Sequence, residues 1–188
     1  LPLIGEVKFG IFYPLLLVPV GFVGAANMVN MLAGYNGLEA GMGIIYLFSL
    51  GLYSYVNQRY VAALIALMVF LPLCVFWYFN KHPAKILPGD SLTYLLGGTL
   101  ASIAILGNLE KAALIVSIPF FIEFFLKYKS RFTADSYGIW VNGKIRSKYD
   151  HIYSLPHILT RTGDYTEKQV VWFLIALEAV FSLLIWVI

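Results

Sequence analysis

Three carboxamides and one carboxylate stand where long apolar runs give way to short polar breaks. The stretch Asn27-Met-Val-Asn-Met-Leu-Ala-Gly-Tyr-Asn-Gly-Leu-Glu-Ala-Gly41 spaces Asn27 and Asn30 three apart, which puts them on one helix face. Asn36 follows, flanked by Gly34 and Gly37, which permit a tight turn and a close approach of backbone to a ligand. The same stretch also suits a helix C-cap followed by a turn. Pro88-Gly-Asp-Ser91 puts Asp90 at the start of another apolar run. A carboxylate there can cap the helix. It can also hold a hard cation such as Mg2+, which takes oxygen ligands and keeps waters and substrate phosphates. The two roles are compatible, because a cap leaves one oxygen free.

Other titratable side chains are less pointed. Lys127, Lys129 and Arg131 suit snorkelling at a membrane edge, and also phosphate binding, Arg in a forked manner. His82, His151 and His157 are too scattered for a ligand set. His157, after Pro156, reads either as a site residue or as a loop histidine bonded to backbone. Glu123 and Glu178 lie inside apolar runs, where acids are costly and face a bundle interior or a wet cavity. Cys74, the single cysteine, reads as a small buried hydrophobe, and one cysteine excludes a disulfide framework.

These residues must be positioned by elements suited to lipid. Hydrophobic residues make up 60% of the 188-residue chain and charged residues 12%, with a mean hydropathy of +0.79. A soluble domain carries roughly twice that charged share, about 25%. The formal charge of +3 gives no argument for nucleic acid. Six apolar runs are expected as transmembrane helices: 9–32, 40–55, 61–79, 92–106, 112–126 and 170–188. The expected class is an all-α polytopic membrane protein, a single transmembrane domain over 1–188, with a loop insert at 127–168. Pro14 and Pro19 interrupt the first run, as membrane helices tolerate.

Alternation of six spans assigns sides. The breaks near 34–39, 80–88 and 127–168 fall on one face, with Lys81, Lys85, Lys127, Lys129, Arg131, Lys144, Arg146, Lys148, Arg161 and Lys168. The other face holds Lys8, Arg59 and Lys111. The excess makes the first face cytoplasmic by the positive-inside bias. In the long break, Asn142-Gly143 lies between short alternating runs, a two-residue β-hairpin signal. Thr166-Glu-Lys-Gln169 fits a capping box opening the last helix.

With these motifs in place, the chain resembles the polyprenyl-phosphate N-acetylhexosamine-1-phosphate transferases. The stretch 32–41 is similar to the eukaryotic and archaeal branch; bacterial members that make peptidoglycan precursors usually carry Asp where this chain has Ala33. Pro88-Gly-Asp-Ser-Leu-Thr-Tyr-Leu-Leu-Gly97 resembles the family's second motif. The resemblance implies a ten-helix bundle of which six helices are present. With Leu1 in place of an initiating Met, the chain is read as the C-terminal portion of a longer protein. It implies transfer of GlcNAc-1-phosphate from UDP-GlcNAc to a polyprenyl (dolichyl) phosphate with release of UMP, the first step of lipid-linked oligosaccharide assembly.

By the same resemblance Asn30 and Asp90 match the Mg2+ ligands. Asn36 matches the carboxamide that reads uracil and Gly34 a backbone contact beside it. Asn27 is grouped with the substrate-binding residues, and Arg131 is a candidate for gripping the diphosphate or sugar. Two features depart from the family pattern. Leu87 stands where an aromatic ring usually stacks on uracil, and the sequence has no Asp-Asp pair, so the fragment is expected to be inactive alone. The implied location is an archaeal cell membrane or the endoplasmic reticulum, with the site facing the cytoplasm, and a homodimer is left open. The rival reading from another class is a transporter or channel using Glu123 and Glu178.

Overall fold

The computed structural model describes residues 9–187; Lys8, counted above on the non-cytoplasmic face, lies outside them. The protein is an integral membrane helix bundle with one small hairpin. A widened π turn, Tyr13–Leu17, leads into α1, Val18–Met31. Pro19 lacks the N–H that an α-helix needs and its ring crowds the carbonyl four residues back; the preceding turn widens instead, with the Val18 N–H reaching Tyr13 O. The remaining long helices are α2, Leu38–Val56, α3, Tyr60–Asn80, and α4, Gly89–Gly107.

The fifth apolar run forms two helices, α5, Glu110–Val116, and α6, Ile118–Lys129. Pro119 cannot donate back to Ile115, and the Ser117 hydroxyl bonds the Ala113 carbonyl at 2.7 Å. Together these interrupt the helix at Ser117. The last run forms α8, Glu167–Leu184, ending in a 3-10 turn, Ile185–Val187. Four of the segments are individually long and apolar enough to cross a membrane: Tyr13–Met31, Tyr60–Asn80, Gly89–Gly107 and Glu167–Val187. α2 is shorter on apolar residues and deeply buried, and the split fifth run reaches full length only as a pair, so the expected count of six is not met helix by helix.

Between α6 and α8 the chain forms β1, Ile139–Val141, β2, Lys144–Arg146, and a short helix α7, His157–Thr160. The hairpin pairs Val141 with Lys144, and Asn142 and Gly143 occupy the left-handed region at φ 49° and 82°, as its two-residue turn requires. The capping box is also present: the Gln169 N–H donates to Thr166 Oγ1 at 3.3 Å and the Thr166 N–H to Gln169 Oε1 at 2.9 Å.

Packing pairs α1 with α4, and α2 with both α3 and α8. The core is built from side chains such as Tyr46, Leu47, Leu50, Leu96, Ile103 and Leu174, all essentially inaccessible. The outer faces stay apolar: Leu15, Leu16, Val20, Val23, Leu64, Met68, Leu71 and Val75 are all exposed. Such a surface suits hydrocarbon, whereas a soluble monomer rarely shows so large a contiguous apolar patch. Gly97 decides the α1–α4 contact: a Cβ there would lie 2.5 Å from the Ala25 carbonyl oxygen and the Ala26 Cα. Only glycine lets these two backbones approach so closely.

Candidate functional site

The ends of six helices, α1, α2, α3, α4, α6 and α8, and the three polar segments between them meet at one end of the bundle. α1 finishes there at Met31 and α4 begins there at Gly89. One turn into α4, the buried Thr93 hydroxyl donates to Asn30 Oδ1 at 2.7 Å, with a second contact of 3.0 Å to the Asp90 carbonyl. Thr93 therefore ties the C-terminal turn of α1 to the N-terminal turn of α4. Asn30 and Asp90, 60 positions apart along the chain, thus share one hydrogen-bonded junction.

Of the two roles open to Asp90, the helix cap is not taken up. Its carboxylate bonds no backbone N–H of α4, and the exposed side chain forms no hydrogen bond or ion pair among the described residues. Both of its oxygens are available to a ligand. No cluster of three or more His, Cys, Asp or Glu able to hold a metal occurs among the described residues. A cation here would have Asn30 Oδ1 and the Asp90 carboxylate as hard oxygen donors, with water and substrate oxygens completing its shell. That sparse set fits Mg2+, which is usually held by one or two protein ligands plus phosphates.

The loop between α1 and α2 is clamped from three sides. From the first turn of α2, Glu39 Oε1 accepts the Gly34 N–H at 2.6 Å. From α3, Trp77 Nε1 donates to the Gly37 carbonyl at 3.1 Å, and Gly37 sits at φ 82° so close to α3 that a Cβ would come within 2.9 Å of Lys81 Cα. From α8, Glu167 Oε1 accepts the Asn36 N–H at 2.7 Å. The half-buried Asn36 carboxamide forms no hydrogen bond among the described residues, so its donor and acceptor are both free. Gly34 can offer only its carbonyl, because its N–H is taken by Glu39.

The remaining expected residues divide. Asn27 is exposed and turns back on its own helix, its Nδ2 donating to the Val23 carbonyl at 2.8 Å. Arg131 is exposed and forms no hydrogen bond or ion pair among the described residues. It lies with Phe132 in a left-handed turn, φ 52° and 62°, that ends α6. Leu87, in the aromatic position, is 75% exposed. A ring that does approach the loop is Tyr137, which packs on Gly34.

Glu123 serves as an anchor for the polar segment. Its Oε1 accepts from the Ser154 hydroxyl at 2.6 Å and its Oε2 from the Leu155 N–H at 2.7 Å. Lys127 sits 3.9 Å away and also donates to the Ala134 carbonyl. Ser136, within 3.4 Å of Glu123, donates to the Met31 carbonyl at 2.8 Å. Tyr35 OH bonds both the Ser136 carbonyl and the Gly138 N–H, each at 3.2 Å. The segment is thereby fastened to the end of α1. Burial raises the Tyr35 hydroxyl well above its usual pKa, so it stays a neutral donor.

His157 is fully buried and structural. Its Nδ1 accepts the Tyr153 N–H at 3.2 Å and its Nε2 lies 3.1 Å from the Asp135 carbonyl. Burial, the largest influence, lowers its pKa. Asp135 pairs with Lys148 at 2.7 Å, a bond that lowers its carboxyl pKa. Glu178, in α8, accepts from Ser182 at 3.2 Å.

The sequence profile described as glycosyl transferase family 4 matches residues 1–108. The chain belongs to this family. Its relatives include a protein of Saccharolobus solfataricus provisionally named UDP-N-acetylglucosamine–dolichyl-phosphate N-acetylglucosaminephosphotransferase. The two are 40% identical over 98% of this chain and 58% of the relative. A protein of Sulfolobus acidocaldarius with the same provisional name is 36% identical over 98% of this chain and 57% of its own length. The phospho-N-acetylmuramoyl-pentapeptide-transferase of Enterococcus hirae is 36% identical over 63% of this chain and 36% of its own. The family-4 chain thus spans somewhat over half the length of the two archaeal relatives, and the archaeal likeness read from residues 32–41 extends over nearly all of it.

Proposed function

We propose that the protein to which this chain belongs transfers GlcNAc-1-phosphate from UDP-GlcNAc to a polyprenyl phosphate, with UMP as the leaving group. The observation that carries this reading is the Asn30–Thr93–Asp90 junction, in which the Thr93 hydroxyl links the Asn30 amide oxygen to the main-chain carbonyl of Asp90, a residue whose carboxylate caps no helix, while the glycine loop with the free Asn36 carboxamide follows α1 directly. The archaeal relatives' names point the same way. In the reaction a lipid phosphate oxygen bonds to the β-phosphorus, and the bond from that phosphorus to the bridging oxygen breaks. The GlcNAc-1-phosphate passes to the lipid, and the electron pair of the broken bond leaves on UMP.

Asn30 and Asp90 would hold Mg2+, which supplies charge neutralisation for the diphosphate and the departing UMP. Thr93 orients the Asn30 amide so that its oxygen, rather than its NH2, faces the junction. Asn36 presents one donor and one acceptor, the complement of the uracil O4 and N3–H edge. An apolar groove of about 430 Å³ between α1, α4 and the α5–α6 pair, lined by Gly21, Gly24, Met28, Val29, Ala101 and Phe120 among others, runs up α1 to within a residue of Asn30. Its lining suits an isoprenoid tail whose phosphate would sit at the junction. We further assign this end to the cytoplasmic side, where the basic residues concentrate.

The test uses the full-length protein, UDP-GlcNAc labelled at the β-phosphate, polyprenyl phosphate and Mg2+. Label moving into the lipid fraction with equimolar UMP supports the reading. Label retained in the sugar nucleotide, with wild-type protein folded and both substrates present, overturns it.

A further inference from the structure

We propose that Glu167 is a positioning residue for nucleotide-base recognition, acting through the backbone of Asn36. The inference rests on the reading of Asn36 as the uracil contact and adds the group that aims it.

Glu167 is in the first turn of α8, 131 positions from Asn36. Acidic residues are favoured there by the helix dipole, but the dipole does not require the side chain to leave its own helix. The helix start is already satisfied by the Thr166–Gln169 capping box. Glu167 instead reaches across the end of the bundle. Its Oε1 accepts the Asn36 N–H at 2.7 Å and its Oε2 stands 3.4 Å from His82 Nδ1. One carboxylate thus joins the loop after α1, the segment after α3 and the start of α8.

The contact falls on the backbone of the residue whose carboxamide is free. The other clamps act on its neighbours, Glu39 on Gly34 and Trp77 on Gly37. Asn36 lies between Gly34 and Gly37, both at positive φ, so no side chain of either glycine restrains its peptide. Without an acceptor for its N–H, rotation of that peptide would swing the carboxamide away from one bearing. Glu167 is only 19% exposed in its side chain, so its hydrogen bond is sheltered from competing water. It touches no reacting atom in this account; its effect is on which base the loop accepts.

The experiment measures UMP and CMP affinity of the full-length protein in lipid nanodiscs by calorimetry, together with thermal unfolding. Glu167→Ala is expected to weaken UMP by roughly tenfold, the scale of one charge-assisted hydrogen bond, and CMP by much less, with little change in unfolding temperature. Glu167→Gln keeps an acceptor for the Asn36 N–H and is expected to stay within about threefold of wild type. Asn36→Ala should lose the same selectivity, and the double variant should lose no more than Asn36→Ala alone. If Asn36→Ala weakens UMP selectively while Glu167→Ala binds like wild type, the positioning role is wrong and base reading by Asn36 stands. If Asn36→Ala leaves UMP binding unchanged, both fail. Equal losses for UMP and CMP in Glu167→Ala, with a large fall in unfolding temperature, would make Glu167 a structural tie and overturn the proposal. Should Glu167→Ala not fold, Glu167→Met, which keeps the length of the side chain and removes both oxygens, gives the same decision.

Discussion

Gly97→Ala should separate two helices and cripple the site without touching any residue in it. The added Cβ would start 2.5 Å from Ala25 O and Ala26 Cα, and ordinary contact begins near 3.4 Å. Those atoms are backbone, which cannot turn aside as a side-chain tip can, so α1 and α4 must part by about 0.9 Å at that level. Thr93 lies one turn away on the same helix. A rigid separation of that size stretches its 2.7 Å bond to Asn30 beyond hydrogen-bond length. Overpacking of this kind costs about 1–3 kcal/mol, and a displacement of this order at a reacting site costs about 10²-fold in rate. The neighbouring glycine supplies the control, because a Cβ at Gly98 meets only Phe22 Cδ1, at 4.0 Å. In the labelled-transfer assay with full-length protein, Gly97→Ala should fall by about two orders of magnitude while Gly98→Ala stays near wild type. Full activity in Gly97→Ala, with its unfolding temperature unchanged, would refute the argument that the α1–α4 approach sets the site.

Asp90→Asn is expected to abolish transfer with little change in unfolding temperature, since the carboxylate supports no hydrogen bond of the fold; a large thermal loss in that variant would show a structural role. Glu123→Ala should destabilise by about 3–5 kcal/mol, because it strands the Lys127 cation and the Ser154 and Leu155 donors in a buried place. Faster amide exchange across residues 134–157 should accompany this loss, and unaltered exchange there would contradict the anchor. The buried, neutral His157 gives the segment a pH dependence. Its folded pKa lies below its unfolded value, so the unfolded state binds the extra proton. The stability it contributes is intact above about pH 6.5 and falls as pH drops from there toward the folded pKa. Amide exchange at Tyr153 and its neighbours should accelerate over that window, and His157→Gln should flatten the dependence.

Much of this was legible in the sequence because lipid imposes simple rules. Apolar runs separated by polar breaks mark the helices, and Asn142-Gly143 and Thr166–Gln169 carry their turn and cap chemistry locally. The family resemblance also pointed to Asn30 and Asp90; Thr93 links the Asn30 amide to the main chain of Asp90. What escaped was non-local. Nothing in the spacing of Glu167 points to Asn36, and Thr93 reads as one more residue of an apolar helix. Glu123 could be recognised as costly in the membrane, yet its partners Ser154 and Leu155 are brought to it only by the return of a long loop. The capping role open to Asp90 is not taken up, and local propensity cannot foresee this because it sees the helix N-terminus and not the α1 junction beside it. The run 112–126 was read as one helix because its composition is apolar throughout; the split at Ser117 follows from Pro119 together with the Ser117 hydroxyl bonded to the Ala113 carbonyl. The metal remains a matter of donor chemistry, since two oxygen-bearing residues define a site only when a substrate completes it.

The most direct test of the central claim is Mn2+ binding followed by electron paramagnetic resonance, with the full-length protein and UMP. The account predicts a bound Mn2+ signal in wild type that is lost in Asp90→Asn and strongly weakened in Asn30→Ala, each variant remaining folded. A bound signal of wild-type strength in both variants would contradict it.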